Sequence, residues 1–273
     1  MSDIHPSQPP PPAHIRWSGM THPGRVRQNN EDTFLCLTFN AHEVRYLGKL
    51  GDATLDAGDF VFAVSDGMGG AKSGEFASKI AAEKITQLLP KSFKQSAQHI
   101  AIGHEDILQE LFSRIHAELL KLGRYYDECR GMGATLSLGW FTPGWLHFAH
   151  IGDSRIYYLP KGGSMKQLTH DHSYVGWLQR KGEINERQAR THPRKSVLMQ
   201  VLGAGRQFLE PHVGSVGCEP GDRFLFCTDG VIDGIWDHRL ADMLAKDDAK
   251  TIVEHAVTES GRDNASAVVV EVT

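Results

Sequence analysis

The sequence predicts an α+β layered domain, and three observations carry that expectation. Short apolar runs of strand-forming residues cluster near the start, the middle and the end of the chain. Two amphipathic stretches with helical spacing separate the first groups. Strands gather in groups rather than alternating strictly with helices, which argues against a βαβ order. At 273 residues the chain is long enough to bury a core without disulfide or metal staples.

The elements follow in order. The first 14 residues, MSDIHPSQPPPPAH, hold five prolines. Proline fixes φ and lacks an N–H, so residues 1–15 read as a disordered tail and 16–273 as the folded domain. Thr33-Phe34-Leu35-Cys36-Leu37-Thr38-Phe39 is rich in strand formers. Residues 41–58 read as a loop or an extra surface hairpin. Phe60-Val61-Phe62-Ala63-Val64 is a buried strand that ends in a glycine-rich turn. Residues 74–89 place Phe76, Ala77, Ile80, Ala81, Ile85, Leu88 and Leu89 at helical spacing, and 105–122 do the same from Ile107 to Leu122. Strand-like segments follow at 134–141, 145–151 and 155–159, with a hairpin break at Thr142-Pro143-Gly144. Residues 173–202 are more polar and helical. A strand returns at 223–227, two helices occupy 237–258, and 267–272 form a last apolar strand.

Charge and cysteine usage exclude several function classes. Lys+Arg number 29 against 33 Asp+Glu, a net charge of −4, which argues against a protein held to nucleic acid by bulk charge. No stretch approaches the roughly 18 apolar residues of a membrane span, and the N-terminus lacks the apolar core of a signal peptide. Cys36, Cys129, Cys218 and Cys227 form no C-x-x-C pair, so reduced thiols in a cytoplasmic protein are expected.

The informative feature is a set of carboxylates at the ends of apolar runs. Asp66 follows Phe60–Ser65 and precedes Gly67-Met68-Gly69-Gly70. Asp153 follows His150-Ile151-Gly152. Asp229 follows Cys227-Thr228 and precedes Gly230. Asp263 lies just before the last strand, and Glu31 and Asp32 just before the first. Gathered in one place, such acids repel one another, and a divalent cation removes that penalty. Oxygen-only ligands suit Mg²⁺ or Mn²⁺ rather than zinc. Any single Asp-Gly also reads as an ordinary turn. The stretch from Gly67 to Gly74 follows a strand and opens a helix, which invites a nucleotide reading, but its glycine and lysine spacing matches neither phosphate-loop pattern.

At this point the residues resemble a known family. The segments are Gly24-Arg25-Val26-Arg27-Gln28-Asn29-Asn30-Glu31-Asp32, Val64-Ser65-Asp66-Gly67-Met68-Gly69-Gly70, Gly131-Met132-Gly133-Ala134-Thr135-Leu136, His150-Ile151-Gly152-Asp153-Ser154-Arg155, Leu168-Thr169-His170-Asp171-His172-Ser173, Thr228-Asp229-Gly230-Val231 and Arg262-Asp263-Asn264-Ala265-Ser266. In that order they resemble the metal-dependent Ser/Thr protein phosphatases of the protein phosphatase 2C type, the PPM family, in its compact bacterial form. The resemblance covers the chain from about residue 16 onward. It implies a four-layer α-β-β-α sandwich of two mostly antiparallel sheets flanked by helices, with a flap near 173–203.

The resemblance also implies roles. Asp66 would bridge two metals, the Gly67 carbonyl would bind one, and Asp229 and Asp263 would hold the other. Glu31 and Asp32 would act as outer ligands through water. Asp153, with Asp229, matches a third metal site, and Arg27 matches the arginine that grips the substrate phosphate. The cofactor would be Mn²⁺ or Mg²⁺, two or three ions per chain, activating water to attack phosphorus without a phosphoenzyme. Some relatives carry a histidine, proposed as general acid, where this chain has Met68, which has no proton to give. His192, in the flap region, reads as structural, as do Tyr174 and Trp177. His147 and His150 lie three apart in a strand and face opposite sides. His170 and His172 look like zinc ligands, but the resemblance makes them part of a turn. The expected function is a monomeric, cytoplasmic phosphoserine/phosphothreonine phosphatase, opposing a Ser/Thr protein kinase that is itself a natural substrate, with no nucleic-acid or membrane partner. The alternative is a catalytically weak phosphoprotein-binding module of the same fold.

Overall fold

The structure is a computed structural model that describes residues 14–40, 42–98 and 103–273. Its strands are β1 (His14–His22), β2 (Asp32–Phe39), β3 (Val44–Tyr46), β4 (Leu50–Thr54), β5 (Asp59–Met68), β6 (Gly133–Ala134), β7 (Leu136–Thr142), β8 (Trp145–Ile151), β9 (Arg155–Leu159), β10 (Lys166–Gln167), β11 (Leu202–Gly203), β12 (His212–Gly217), β13 (Arg223–Cys227) and β14 (Ala265–Val272). Its α-helices are α1 (Ala71–Gln98), α2 (His104–Tyr125), α3 (Tyr174–Arg180), α4 (Glu186–Thr191), α5 (Asp229–Gly234), α6 (Asp237–Leu244) and α7 (Ala249–Glu259).

The apolar runs are explained by burial on both faces. Along β5, Phe60, Phe62 and Val64 point between two sheets, while Val61 and Ala63 face α1 and α2. Along β13, Phe224 and Phe226 point between the sheets, and Leu225 and Cys227 face α5, α6 and α7. Side chains alternate along a strand, so a strand covered twice needs apolar residues at every position. Three cores therefore separate four layers: α1/α2, a sheet centred on β5, a sheet in the order β10-β9-β13-β14-β1-β4, and α5–α7. In the β5 sheet, β2 lies on one side with β3 beyond it. On the other side β7 and β6 lie end to end, then β8 and β12, with β11 beside β6. All strand pairings among the described residues are antiparallel. The four-layer sandwich expected from the resemblance is the observed architecture.

Two expectations change. Strand β1 already contains His14, paired with Thr54, and the fully buried Ile15, so the fold starts two residues before 16. Residues 1–13 of the expected tail lie outside the described residues. The segment 41–58 is not a hairpin. β3 extends the β5 sheet through β2, whereas β4 extends the other sheet through β1, so the insert clasps the two sheets at one edge. Trp17 anchors it by donating from Nε1 to the Gly48 carbonyl at 2.9 Å. All four cysteines are free, and no described helix is long and apolar enough to cross a membrane.

Candidate metal and phosphate site

The acids meet at one end of the sandwich because the strands that carry them are aligned in register. Asp32 stands directly opposite Asp66 across the β2–β5 ladder. Like charges in directly opposed positions are unfavourable, so this pairing is a cost that the fold carries. A break in the next ladder fixes Asp66. β7 ends its pairing at Ser137–Val64 and β6 resumes at Ala134–Gly67. Between them Thr135 donates its backbone N–H to the Asp66 carbonyl at 2.8 Å, and its Oγ1 accepts from Asp66 N at 3.0 Å. The expected single strand over 134–141 is therefore two, because Thr135 turns its polar groups to Asp66 and to Ser154 Oγ, 2.7 Å away.

Glycine lets α1 approach the acids. A Cβ on Gly67 would lie 1.9 Å from the Gly74 carbonyl oxygen, and one on Gly74 would lie 2.3 Å from Glu31 Oε2. Only glycine at both positions permits this layering of turn, helix and carboxylate. Asn264 fastens the opposite wall. Its Oδ1 accepts from Glu31 N at 2.8 Å, and its Nδ2 donates to the Pro23 and Asn29 carbonyls at 2.8 and 2.9 Å. The turn carrying Arg27 is thereby tied to the start of β14. Arg27 Nη2 donates to Asp263 Oδ2 at 2.7 Å, while its Nε and Nη1 have no partner among the described residues.

Asp229 opens α5, directly after β13. Thr228 Oγ1 donates to Asp32 Oδ2 at 2.7 Å and accepts from Ser266 N at 2.9 Å, linking β2, β13 and β14 below the cleft. Asp153 follows Gly152, whose φ of 107° suits glycine. Gly152 N donates to His172 Nδ1 at 3.2 Å, and its carbonyl accepts from His172 N at 2.6 Å. The flap is thus rooted beside Asp153. Its far end holds α5: Arg190 donates to the carbonyls of Ile232 and Ile235, and Lys195 Nζ meets Asp233 at 2.7 Å.

Arg27, Glu31, Asp66, Gly67, Asp153, Asp229 and Asp263 line one cleft of about 530 Å³, together with Ser196 and Leu198 of the flap. Asp32 lies beneath it, buried. A second hollow of about 320 Å³ under the flap shares Arg27, Asp153, Asp229 and Asp263. Burial raises Asp66 and Asp229 well above the usual carboxylate range, and the charges of neighbouring acids push the same way. Burial also raises Asp32 and Asp153 to about 7, and raises Glu31 against the opposing pull of Arg27. Arg27 is held more firmly cationic by its bond to Asp263. Hard oxygen donors that resist ionisation in the absence of positive charge fit a divalent cation. No three His, Cys, Asp or Glu side chains among the described residues close around a single point. Asp263 accounts for part of this, because Arg27 takes one of its oxygens and Asn264 N, at 2.9 Å, the other.

The flap spans the expected segment and lies beside the cleft. His192 caps α4, accepts from Arg194 N at 3.1 Å and does not line the cleft. Tyr174 lies beneath the Arg194 guanidinium at 3.8 Å and Trp177 beneath Lys181 at 3.9 Å, so both serve the flap's own packing. Thr135, Thr228 and Asn264 were not assigned roles from sequence. Their signal was adjacency: each stands next to, or in the same short motif as, an acid or the glycines around it.

Comparison with known proteins agrees with the fold. The family model described as protein phosphatase 2C matches residues 49–264. The Ser/Thr protein phosphatase PstP of Mycobacterium tuberculosis is 29% identical over 94% of this chain, which spans 45% of PstP, about half its length. The Ser/Thr phosphatase stp of Listeria innocua is 30% identical over 77% of this chain and 84% of its own. The catalytic domain of PstP, solved in complex with two manganese ions, superposes with a TM-score of 0.74 at 26% identity, covering 96% of this chain and 99% of that one. With family model, relatives and fold in agreement, this chain belongs to the protein phosphatase 2C family of bacterial metal-dependent Ser/Thr phosphatases.

Proposed function

We propose that this protein hydrolyses phosphoserine and phosphothreonine monoesters in proteins, using Mn²⁺ or Mg²⁺, two or three per chain. The carrying observation is the convergence of Glu31, Asp66, Asp153, Asp229 and Asp263 with one arginine in a single cleft. When bound, the cations make water acidic enough to act as a nucleophile near neutral pH and offset the charge of the phosphate dianion. Asp66, the Gly67 carbonyl, Asp229 and Asp263 are the groups that would hold them. Glu31 and Asp32 would serve as outer ligands, and Asp153 with Asp229 would hold a third, weaker ion.

Arg27 grips the phosphate. A guanidinium fork can take two oxygens at once, and its Nε and Nη1 are free to do so. Asn264 keeps that fork in place by fastening its turn at Pro23 and Asn29. Met68 supplies no proton to the leaving oxygen. The natural partner is a Ser/Thr protein kinase whose own phosphosites are substrates, and the setting is the cytoplasm.

The test is phosphate release from a phosphothreonine peptide with Mn²⁺, with chelator, and after Mn²⁺ is restored. Release should vanish in chelator and return with metal. Release that persists in chelator overturns the metal mechanism. Tight peptide binding without release favours a phosphoprotein-binding module instead.

A further inference from the structure

The rim of the cleft is apolar where its floor is charged. Val26, immediately ahead of Arg27, is 68% exposed, and Met68, the last residue of β5, is 37% exposed. Leu198 contributes from the flap, and all three line the cleft. Its neighbours Val197 and Met199 are exposed too. This part of the flap is held firmly. The Val197 carbonyl accepts from Tyr174 N at 2.9 Å, Met199 N donates to the His172 carbonyl at 2.7 Å, and the Leu198 carbonyl accepts from Arg206 Nη2 at 2.9 Å. Single exposed apolar side chains are ordinary on any surface. Three from distant segments, lining one charged cleft, are a feature of the kind that marks a binding surface.

Resting on the phosphatase reading, we propose that this rim selects substrates in which an aliphatic residue flanks the phosphorylated serine or threonine, and disfavours acidic flanks. The charged floor fixes the occupant as a phosphopeptide. An extended chain advances roughly 3.3 Å per residue, so the residues next to the phosphorylated one meet the rim. An aliphatic side chain there removes apolar surface from water on both partners. An acidic one loses hydration without gaining a partner at that rim. Met68 has a flexible thioether, so the preference is for a class of residues rather than one. The flap aromatics do not compete for this role, because Arg194 and Lys181 cover Tyr174 and Trp177.

Three phosphothreonine peptides, identical except for Leu, Ser or Asp on both sides of the phosphorylated residue, test this. kcat/KM is measured with Mn²⁺, alongside para-nitrophenyl phosphate, which has no flanks. The Leu peptide should exceed the Asp peptide by at least about tenfold, carried by KM. The ratio should shrink in Val26→Asn and in Met68→Asn, and shrink furthest in the double variant. Each ratio is taken within one preparation, so a partly unfolded variant cannot imitate the result. Equal values for all three peptides, or a ratio that survives the double variant, overturn the rim while para-nitrophenyl phosphate hydrolysis leaves the phosphatase reading standing. No turnover of any substrate removes the phosphatase reading and the rim with it.

Discussion

Two clusters of ionisable side chains meet at Gly152, and burial drives them in opposite directions. On one side Asp66, Asp153 and Asp229 are pushed up. On the other, burial pushes His150 well below its ordinary value and His172 down to about 4, with neighbouring histidines, and Arg180 beside His172, adding to the effect. Desolvation favours the neutral form of any group. A histidine reaches that form at neutral pH by remaining unprotonated. His150 is then fully satisfied, bonded to Ser137 Oγ at 2.8 Å and to the Gly152 carbonyl at 3.1 Å, with the His172 ring stacked 5.1 Å away. His170 stacks on His212 at 4.2 Å in the same way. The carboxylates have no such route at neutral pH. They need protons or cations, and that difference separates the proposed metal centre from a structural joint built of equally polar residues.

Asp229→Asn breaks the comparison most sharply. With Mn²⁺, turnover should fall about a thousandfold or more, the scale of several kcal/mol of lost charge stabilisation. In chelator the same variant should melt no lower than the parent, since a neutral amide replaces one of several mutually repelling acids. Parallel kinetics and thermal melts with and without metal read both effects. Near-normal turnover contradicts the role given to Asp229, and a large loss of melting temperature in chelator makes it a structural residue.

The histidine side predicts the reverse pattern. His150→Ala removes a fully buried ring and leaves Ser137 Oγ without its partner, while the Gly152 carbonyl keeps the His172 N–H. The cost should be about 2–4 kcal/mol, from the cavity and the unpaired hydroxyl together. Denaturant titration should show the same loss with and without Mn²⁺. A loss present only in the metal-loaded protein would make His150 part of the cleft's machinery.

The sequence exposed what is local. An apolar run ending in an acid and a glycine marks Asp66 and Asp229 within a few residues, and helical spacing marks α1 and α2. It hid what depends on distant partners. β12 reads as His-Val-Gly-Ser-Val-Gly, with little strand character, and exists because it completes the edge of β8. Its Gly214 leaves room for the Phe148 ring, which a Cβ would approach at 2.8 Å. The insert looked like a hairpin because β3 and β4 are neighbours in sequence, yet their partners β2 and β1 belong to different sheets. The break at Thr135 is invisible in a run of strand formers, because its cause, Asp66, lies 69 residues away.

Acidity gives the smallest effect and the finest test. Asp32 and Asp153 rise from 3.8 to about 7 in the folded chain. Between those values the folded state holds protons that the unfolded chain has released, so this contribution to metal-free stability falls as pH rises from about 4 to about 7. His172 falls from 6.5 to about 4. Here the unfolded chain holds the extra proton, so stability is lost as pH falls below 6.5. In chelator the two trends oppose each other, so the melting temperature should change less between pH 5.5 and 7.5 than the acids alone would make it. With Mn²⁺ in place of the protons only the histidine trend remains, and the melting temperature should climb by a few degrees over the same window. The gain on adding Mn²⁺ is therefore larger at pH 7.5 than at pH 5.5, and Asp229→Asn should shrink it at both. A gain that is larger at pH 5.5 would mean that the acids are already ionised without metal, and the contrast between the two clusters would fail.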